Sequence, residues 1–181
     1  NYYIDVTTQK TRLSEAKAVA KELVHNYRSN TIIDTILCLD GTEVIGACMA
    51  EELTRDNYMN MNAHQTIYVV SPEFIGGGQM MFRDNLTPML AKKHVLVLAA
   101  SVTTGKSALA AIDAINYYGG IVVGVSAIFA TVEECDGHAV HSIFDPKDLG
   151  DYESYKPHHC PWCRRGEKIE ALVNSYGISM L

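Results

Sequence analysis

The sequence predicts an α/β fold: a mostly parallel central sheet flanked by helices. Three observations carry that expectation. Apolar, β-branched runs alternate through the middle of the chain with stretches whose apolar residues recur at three- and four-residue steps, as in strand–helix–strand crossovers. The strand-like runs are apolar throughout, which is the pattern of strands covered on both faces. The run His94–Ala100 passes through a short polar loop, Ser101–Gly105, straight into a helical pattern opening at Lys106. A loop so placed lies at the carboxyl edge of the sheet, where open α/β sheets bind ligands.

Taken in order, Tyr2–Val6 reads as extended, and Ser14 as the N-cap of a helix whose face is Ala16, Val19, Ala20, Leu23, Val24 and Tyr27. Thr31–Leu39 reads as a buried strand, Asp40-Gly41-Thr42 as a sharp turn and Glu43–Leu53 as a helix. Gln65–Val70 is the next strand. Ser71–Leu90 contains Pro72, Gly76-Gly77-Gly78 and Pro88, and reads as a long loop of the kind that is functional or mobile. Strand His94–Ala100 is followed by helix Lys106–Tyr118, with Ala108, Ala111, Ile112 and Ile115 on its buried face and Gly119-Gly120 as its stop. Ile121–Val132 and His138–Phe144 read as strands, and Gly166–Tyr176 as a last helix with Ile169, Leu172, Val173 and Tyr176 on one side.

A length of 181 residues suits one domain, with a core over about 31–145 and a small C-terminal tail over 146–181. A net charge of −6 argues against a nucleic-acid surface, which needs excess Lys and Arg. No apolar run approaches the roughly 20 residues that cross a bilayer. No secretion signal opens the chain. Five cysteines, an odd number, suit a reducing, cytoplasmic setting better than a disulfide framework. The first residue is Asn1 rather than Met, which implies residues upstream.

The loop after His94–Ala100 has the features of a phosphate cradle: small and hydroxylated residues opening a helix, whose first amides have no helical partner. Two patterns fit it. Ala100-x-x-x-x-Gly105-Lys106-Ser107 matches a relaxed nucleotide P-loop with Ala in place of the first Gly; there Lys106 would reach the outer phosphates and Ser107 would hold Mg²⁺. Alternatively, Thr103-Thr104-Gly105 binds a single monoester phosphate through amides and hydroxyls.

The second pattern carries a family resemblance. VLVLAASVTTGKSALAAIDAINYYGG is similar to the ribose-5-phosphate signature of type I phosphoribosyltransferases, and IDTILCLDGTEVIGACMAEEL resembles their strand, pyrophosphate loop and helix. Tyr2-Tyr3-Ile4-Asp5 and Cys160-Pro161-Trp162-Cys163 with Gly166 resemble the two ends of orotate phosphoribosyltransferases. The resemblance implies a type I phosphoribosyltransferase-like fold and transfer of ribose 5-phosphate from phosphoribosyl pyrophosphate to a base with Mg²⁺, a glycosyltransferase reaction of pyrimidine biosynthesis. It implies a homodimer as well. Ser101, Val102, Thr103, Thr104, Gly105, Lys106 and Ser107 would bind the 5-phosphate, and Asp40, Gly41 and Thr42 the pyrophosphate. The loop around Gly76–Arg83 would close over the site.

Three departures set the chain apart from that pattern. The acidic pair that holds the ribose hydroxyls falls on Ala99 and Ala100. The basic residues expected after the preceding strand are replaced by Ser71-Pro72-Glu73-Phe74-Ile75, with Arg83, Lys92 and Lys93 out of step. The base-recognition segment would lie upstream of Asn1. No catalytic residue is therefore assigned; a genuine transferase would have to find its carboxylates elsewhere, for instance from Asp40 or Asp84. The expectation is an orotate phosphoribosyltransferase-like protein that binds phosphoribosyl pyrophosphate or a nucleoside monophosphate with weak or no turnover. The alternatives are a ligand-sensing or regulatory protein on the same scaffold and a P-loop-type nucleotide binder. In the tail, Cys160 and Cys163 form a zinc half-site that His158 or His159 and the upstream Cys135, His138 and His141 could complete. Free thiols in a packed turn are the plain alternative. A redox Cys-x-x-Cys is weaker, because no thioredoxin-like strand precedes it.

Overall fold

The computed structural model describes residues 4–55, 60–150, 152–153, 155, 157–174 and 177–181. Asn1, Tyr2, Tyr3 and Tyr176, named above, lie outside them. The segment after Tyr3 is not a strand: it leads into a helical turn, α1 (Thr7–Thr11), whose Thr7 amide is held by the Asp5 carboxylate at 2.8 Å. Helix α2 (Leu13–Val24) starts at Leu13 with Arg12 as N-cap, so Ser14 lies inside its first turn instead of capping it. The predicted apolar face is correct; Ala16, Val19, Ala20, Leu23 and Val24 are all buried.

Strand β1 is shorter than its apolar run, covering Thr35–Cys38. Residues before it pair with a side chain instead of a strand: buried Asn62 accepts the Ile33 amide and donates to the Thr31 carbonyl, both at 2.8 Å. Helix α3 (Glu43–Thr54) packs back on β1, and a Cβ on Gly46 would lie 2.5 Å from the Cys38 sulfur. Strand β2 (Tyr68–Val70) is also trimmed, because residues 61–64 form a turn with His64 at φ +63°.

The expected long loop after β2 contains structure. A hairpin, β3 (Glu73–Ile75) with β4 (Gln79–Met81), exposes β3 to solvent, buries Met80 of β4 in the core and is closed by a bidentate Arg83–Glu73 pair at 2.9 and 2.7 Å. The glycine triplet forms its turn. Strand β5 (His94–Val102), helix α4 (Lys106–Tyr117) and strand β6 (Ile121–Ala130) follow, close to the predicted bounds. A two-residue β7 (Glu134–Cys135) and β8 (His138–Phe144) complete the main sheet.

That sheet has the order β2-β1-β5-β6-β8-β7, parallel except for the β7–β8 edge. Alternation along β5 sends Val95, Val97 and Ala99 to the α4 side and Leu96 and Leu98 to the α2–α3 side. Each fully buried Leu or Ile contributes about 1.5–3 kcal/mol, so this doubly covered strand anchors the fold. Among the described residues of 166–176 the expected final helix is absent. After the short helix α5 (Pro161–Arg164) the chain forms an antiparallel pair, β9 (Ala171–Asn174) and β10 (Gly177–Met180). Ile169, Leu172 and Val173 stay exposed. A helical face gains stability mainly by packing, and with no surface to receive it the β-branched segment takes extended geometry instead.

Candidate ligand-binding cleft

Strand β1 pairs with β2 on one side and β5 on the other, so the connections leaving β1 and β5 diverge at their carboxyl ends, a topological switch point. Cys38 is in register with Leu98, which brings the turn at Asp40 level with Ala100. A cleft of about 490 Å³ opens there, floored by Asp40, Ala100, Ser101 and Thr103.

The β1 side is a backbone-strained turn. Asp40 and Gly41 both have left-handed φ, +56° and +75°, a conformation that costs a non-glycine residue energy. The Asp40 carboxyl accepts the Ala100 amide. Burial pushes its pKa above the ordinary carboxyl value, against the opposing pull of that amide and of Lys10. The Lys10 Nζ reaches in from α1 and donates to the Asp40 carbonyl at 2.9 Å. Thr42 is fully buried, and its hydroxyl donates to the carbonyls of Leu39 and Leu98 at 2.8 and 3.2 Å. It props the turn from beneath and does not line the cleft.

The β5 side is a loop fastened from behind. Thr131 donates its amide to the Val102 carbonyl (2.9 Å) and its hydroxyl to the Thr103 carbonyl (2.7 Å), while the Cys135 thiol lies 3.7 Å from the Gly105 carbonyl. In a trans peptide the N–H opposes the C=O, so tying these carbonyls back turns the amides of Thr103, Thr104 and Lys106 the other way. Gly105, at φ +74°, is the N-cap of α4, and no side chain caps that helix. Uncapped amides and the positive end of the helix dipole suit an anion.

Among the sequence-predicted phosphate ligands, the side chains of Ser101, Thr103 and Ser107 line the cleft; Val102 packs in the core, and Thr104 and Lys106 are exposed outside the lining. The two alanines part company. Ala100 lines the cleft, whereas Ala99 is 1% exposed within the α4-side core. Asp40 is in place as a carboxylate beside Ala100; Asp84 is not part of the lining. Lys10 was not legible as a site residue, because a lone Lys in a polar stretch carries no periodicity or motif. Its proximity to Tyr2-Tyr3-Ile4-Asp5 was the one available signal. Phe129 and Tyr152, stacked edge-to-face at 5.1 Å, form part of one wall, with Val173 and Gly177 nearby.

The zinc candidates Cys135, His159, Cys160 and Cys163 do not form one cluster. Among the described residues no group of three or more His, Cys, Asp or Glu side chains is placed to hold a metal. Cys135 is held on β7 against the Gly105 carbonyl, while Cys160 and Cys163 share one helical turn in the tail. Among the described residues no helix is long and apolar enough to cross a membrane.

The architecture is the type I phosphoribosyltransferase fold. Over 80% or more of both chains it superposes on orotate phosphoribosyltransferase from Mycobacterium tuberculosis in complex with Fe(III) dicitrate (TM-score 0.58, 18% identity, 82% of this chain and 83% of that one). Adenine phosphoribosyltransferase from Rhodothermus marinus gives a TM-score of 0.57 at 14% identity, covering 80% of this chain and 87% of that one. In sequence, the chain is similar to orotate phosphoribosyltransferase of Thermus thermophilus, 34% identical over 98 residues, which is 54% of this chain and 51% of the relative. The chain thus spans about half the length of the curated relatives it matches. No family model matches it.

Proposed function

We propose that the cleft binds phosphoribosyl pyrophosphate or a nucleoside monophosphate, and that the chain is an orotate phosphoribosyltransferase-like protein of pyrimidine nucleotide metabolism with little or no transferase turnover. The 5-phosphate sits on the outward amides of 103–106 with the hydroxyls of Thr103 and Ser107. The pyrophosphate, or the open end of a monophosphate site, lies toward Asp40 and Gly41. Lys10 supplies from α1 the positive charge that the segment after β2 lacks. Mg²⁺ is a hard cation that keeps oxygen ligands and is usually held by one or two carboxylates plus substrate phosphates; Asp40 is the carboxylate positioned to share it, and the ion would neutralise diphosphate charge.

The observation that carries the low-turnover reading is Ala100. A carboxylate at this point of the floor would accept the ribose hydroxyls, and a methyl group cannot. Each charge-assisted hydrogen bond lost is worth about 1.5–3 kcal/mol. Transfer through an oxocarbenium-like state needs the sugar held while its charge develops, and the described floor offers only Asp40 for that purpose. Isothermal titration with phosphoribosyl pyrophosphate and Mg²⁺, with orotate and with nucleoside monophosphates, run beside a turnover assay, tests the proposal. Binding without turnover is expected. Turnover at a rate ordinary for an enzyme would defeat the low-activity reading, and failure of every phosphorylated ligand to bind would defeat the site itself.

A further inference from the structure

The tail motif Cys160-Pro161-Trp162-Cys163 has no part in the cleft as described, and among the described residues no third metal-ligating side chain joins its two cysteines. Its geometry is nonetheless specific. Cys160 is the N-cap of α5, and its sulfur accepts the Cys163 amide at 3.4 Å. Both cysteines are free thiols. Residues three apart on a helical turn have Cβ atoms roughly 5–6 Å apart, and a small adjustment brings them within the range a disulfide requires. The turn is braced by Trp162, which packs edge-to-face on Tyr155 at 5.4 Å and carries the Arg165 guanidinium 5.6 Å above its ring. Pro161 at the first helical position fixes the backbone between the sulfurs.

We propose that Cys160 and Cys163 form a thiol–disulfide exchange site, with Cys160 as the attacking thiol and Cys163 as the resolving one, and low-molecular-weight disulfides as the co-reactant class. The Cys160 thiolate attacks one sulfur of the disulfide, whose other sulfur leaves as a thiolate and takes up a proton. Cys163, deprotonated, then attacks the Cys160 sulfur of the mixed disulfide and expels the second small thiol. The protein loses two electrons and two protons, and the small disulfide becomes two thiols. The roles follow from the asymmetry of the turn. The Cys163 amide donates to the Cys160 sulfur, and an N–H directed at sulfur favours the thiolate, which makes Cys160 the attacking thiol. The remaining cysteines are unsuited: Cys38 and Cys48 are buried in the core, and Cys135 is committed to the Gly105 carbonyl. The inference is independent of the proposed ligand.

The test uses the full chain, reduced, desalted and incubated with glutathione disulfide, then acid-quenched, alkylated, digested and read by mass spectrometry. The peptide holding both tail cysteines should lose two hydrogens and resist alkylation, while the Cys38, Cys48 and Cys135 peptides alkylate fully after denaturation. Cys163→Ser should trap glutathione on Cys160 as a stable adduct; Cys160→Ser should leave Cys163 reacting roughly tenfold slower. In urea-unfolded chain the two variants should react alike. Retention of both alkylatable thiols would overturn the proposal, as would equal rates in the folded variants or stoichiometric zinc on the reduced chain.

Discussion

Restoring the lost acids one at a time separates the two alanines. Ala99 is 1% exposed and faces the α4-side core, in register with Ala127 across β6. Ala99→Asp places a carboxyl among apolar neighbours with no partner, by a mechanism that costs about 3–5 kcal/mol when a buried charge is uncompensated. Overpacking beside Ala127 adds to that cost. Ala100→Asp instead places a carboxylate at the cleft lining beside Asp40; Ala100 is itself only 6% exposed, so some loss of stability is expected, but less than for Ala99→Asp. Its gain is in binding: one charge-assisted hydrogen bond to a ribose hydroxyl, about 1.5–3 kcal/mol, corresponds to roughly 10- to 150-fold in affinity. Urea unfolding of both variants and titration of Ala100→Asp with phosphoribosyl pyrophosphate and Mg²⁺ measure these quantities. The reasoning fails if Ala99→Asp is as stable as the parent, or if Ala100→Asp binds no more tightly than Ala100 does.

Lys10→Met keeps the aliphatic stem and removes the charge. It should weaken binding of a diphosphate-bearing ligand tenfold or more, corresponding to about 1.5–3 kcal/mol, and flatten the salt dependence of binding in titration calorimetry. Gly46→Ala drives a Cβ into the Cys38 sulfur and should lower stability by about 1–3 kcal/mol in thermal melts, with no direct contact to the cleft. Asp40 has a folded pKa above its unfolded one, so its ionisation opposes folding. Its contribution to stability is fully present at low pH and is lost as pH rises from about 4 toward the raised folded value. Asp40→Asn should remove that slope from urea-unfolding curves measured across the interval, and should be more stable than the parent at neutral pH while binding Mg²⁺-loaded ligand less well.

The parallel core was legible because burial on both faces leaves an unambiguous mark. Runs such as Val95–Leu98 have no alternative to a covered strand, and the face of α4 appears in its spacing alone. The start of β1 was not legible, since Thr31 and Ile33 before it pair with the Asn62 side chain, a contact across 31 and 29 positions that no local pattern encodes. The β9–β10 pair departs from the helical spacing for a related reason. Three- and four-residue spacing describes a face but does not supply the surface that face must meet. In the cleft, the Thr-Thr-Gly loop and the Asp40 turn were visible as motifs. Lys10 and Thr131 were not, because each acts through a backbone carbonyl far away in sequence.

The cleft is built from parts of unequal permanence. Its floor hangs on β1 and β5, whose amides are sealed between two layers of side chains, while Tyr152, Val173 and Gly177 on its wall belong to a tail with an exposed antiparallel pair. Backbone amides in the first region should exchange with deuterium only on global opening, and those in the second on far cheaper local excursions. A ligand arriving past Tyr152, Val173 and Gly177 would therefore meet a fixed template beneath and a more readily opened wall, with its grip set by the middle of the sheet.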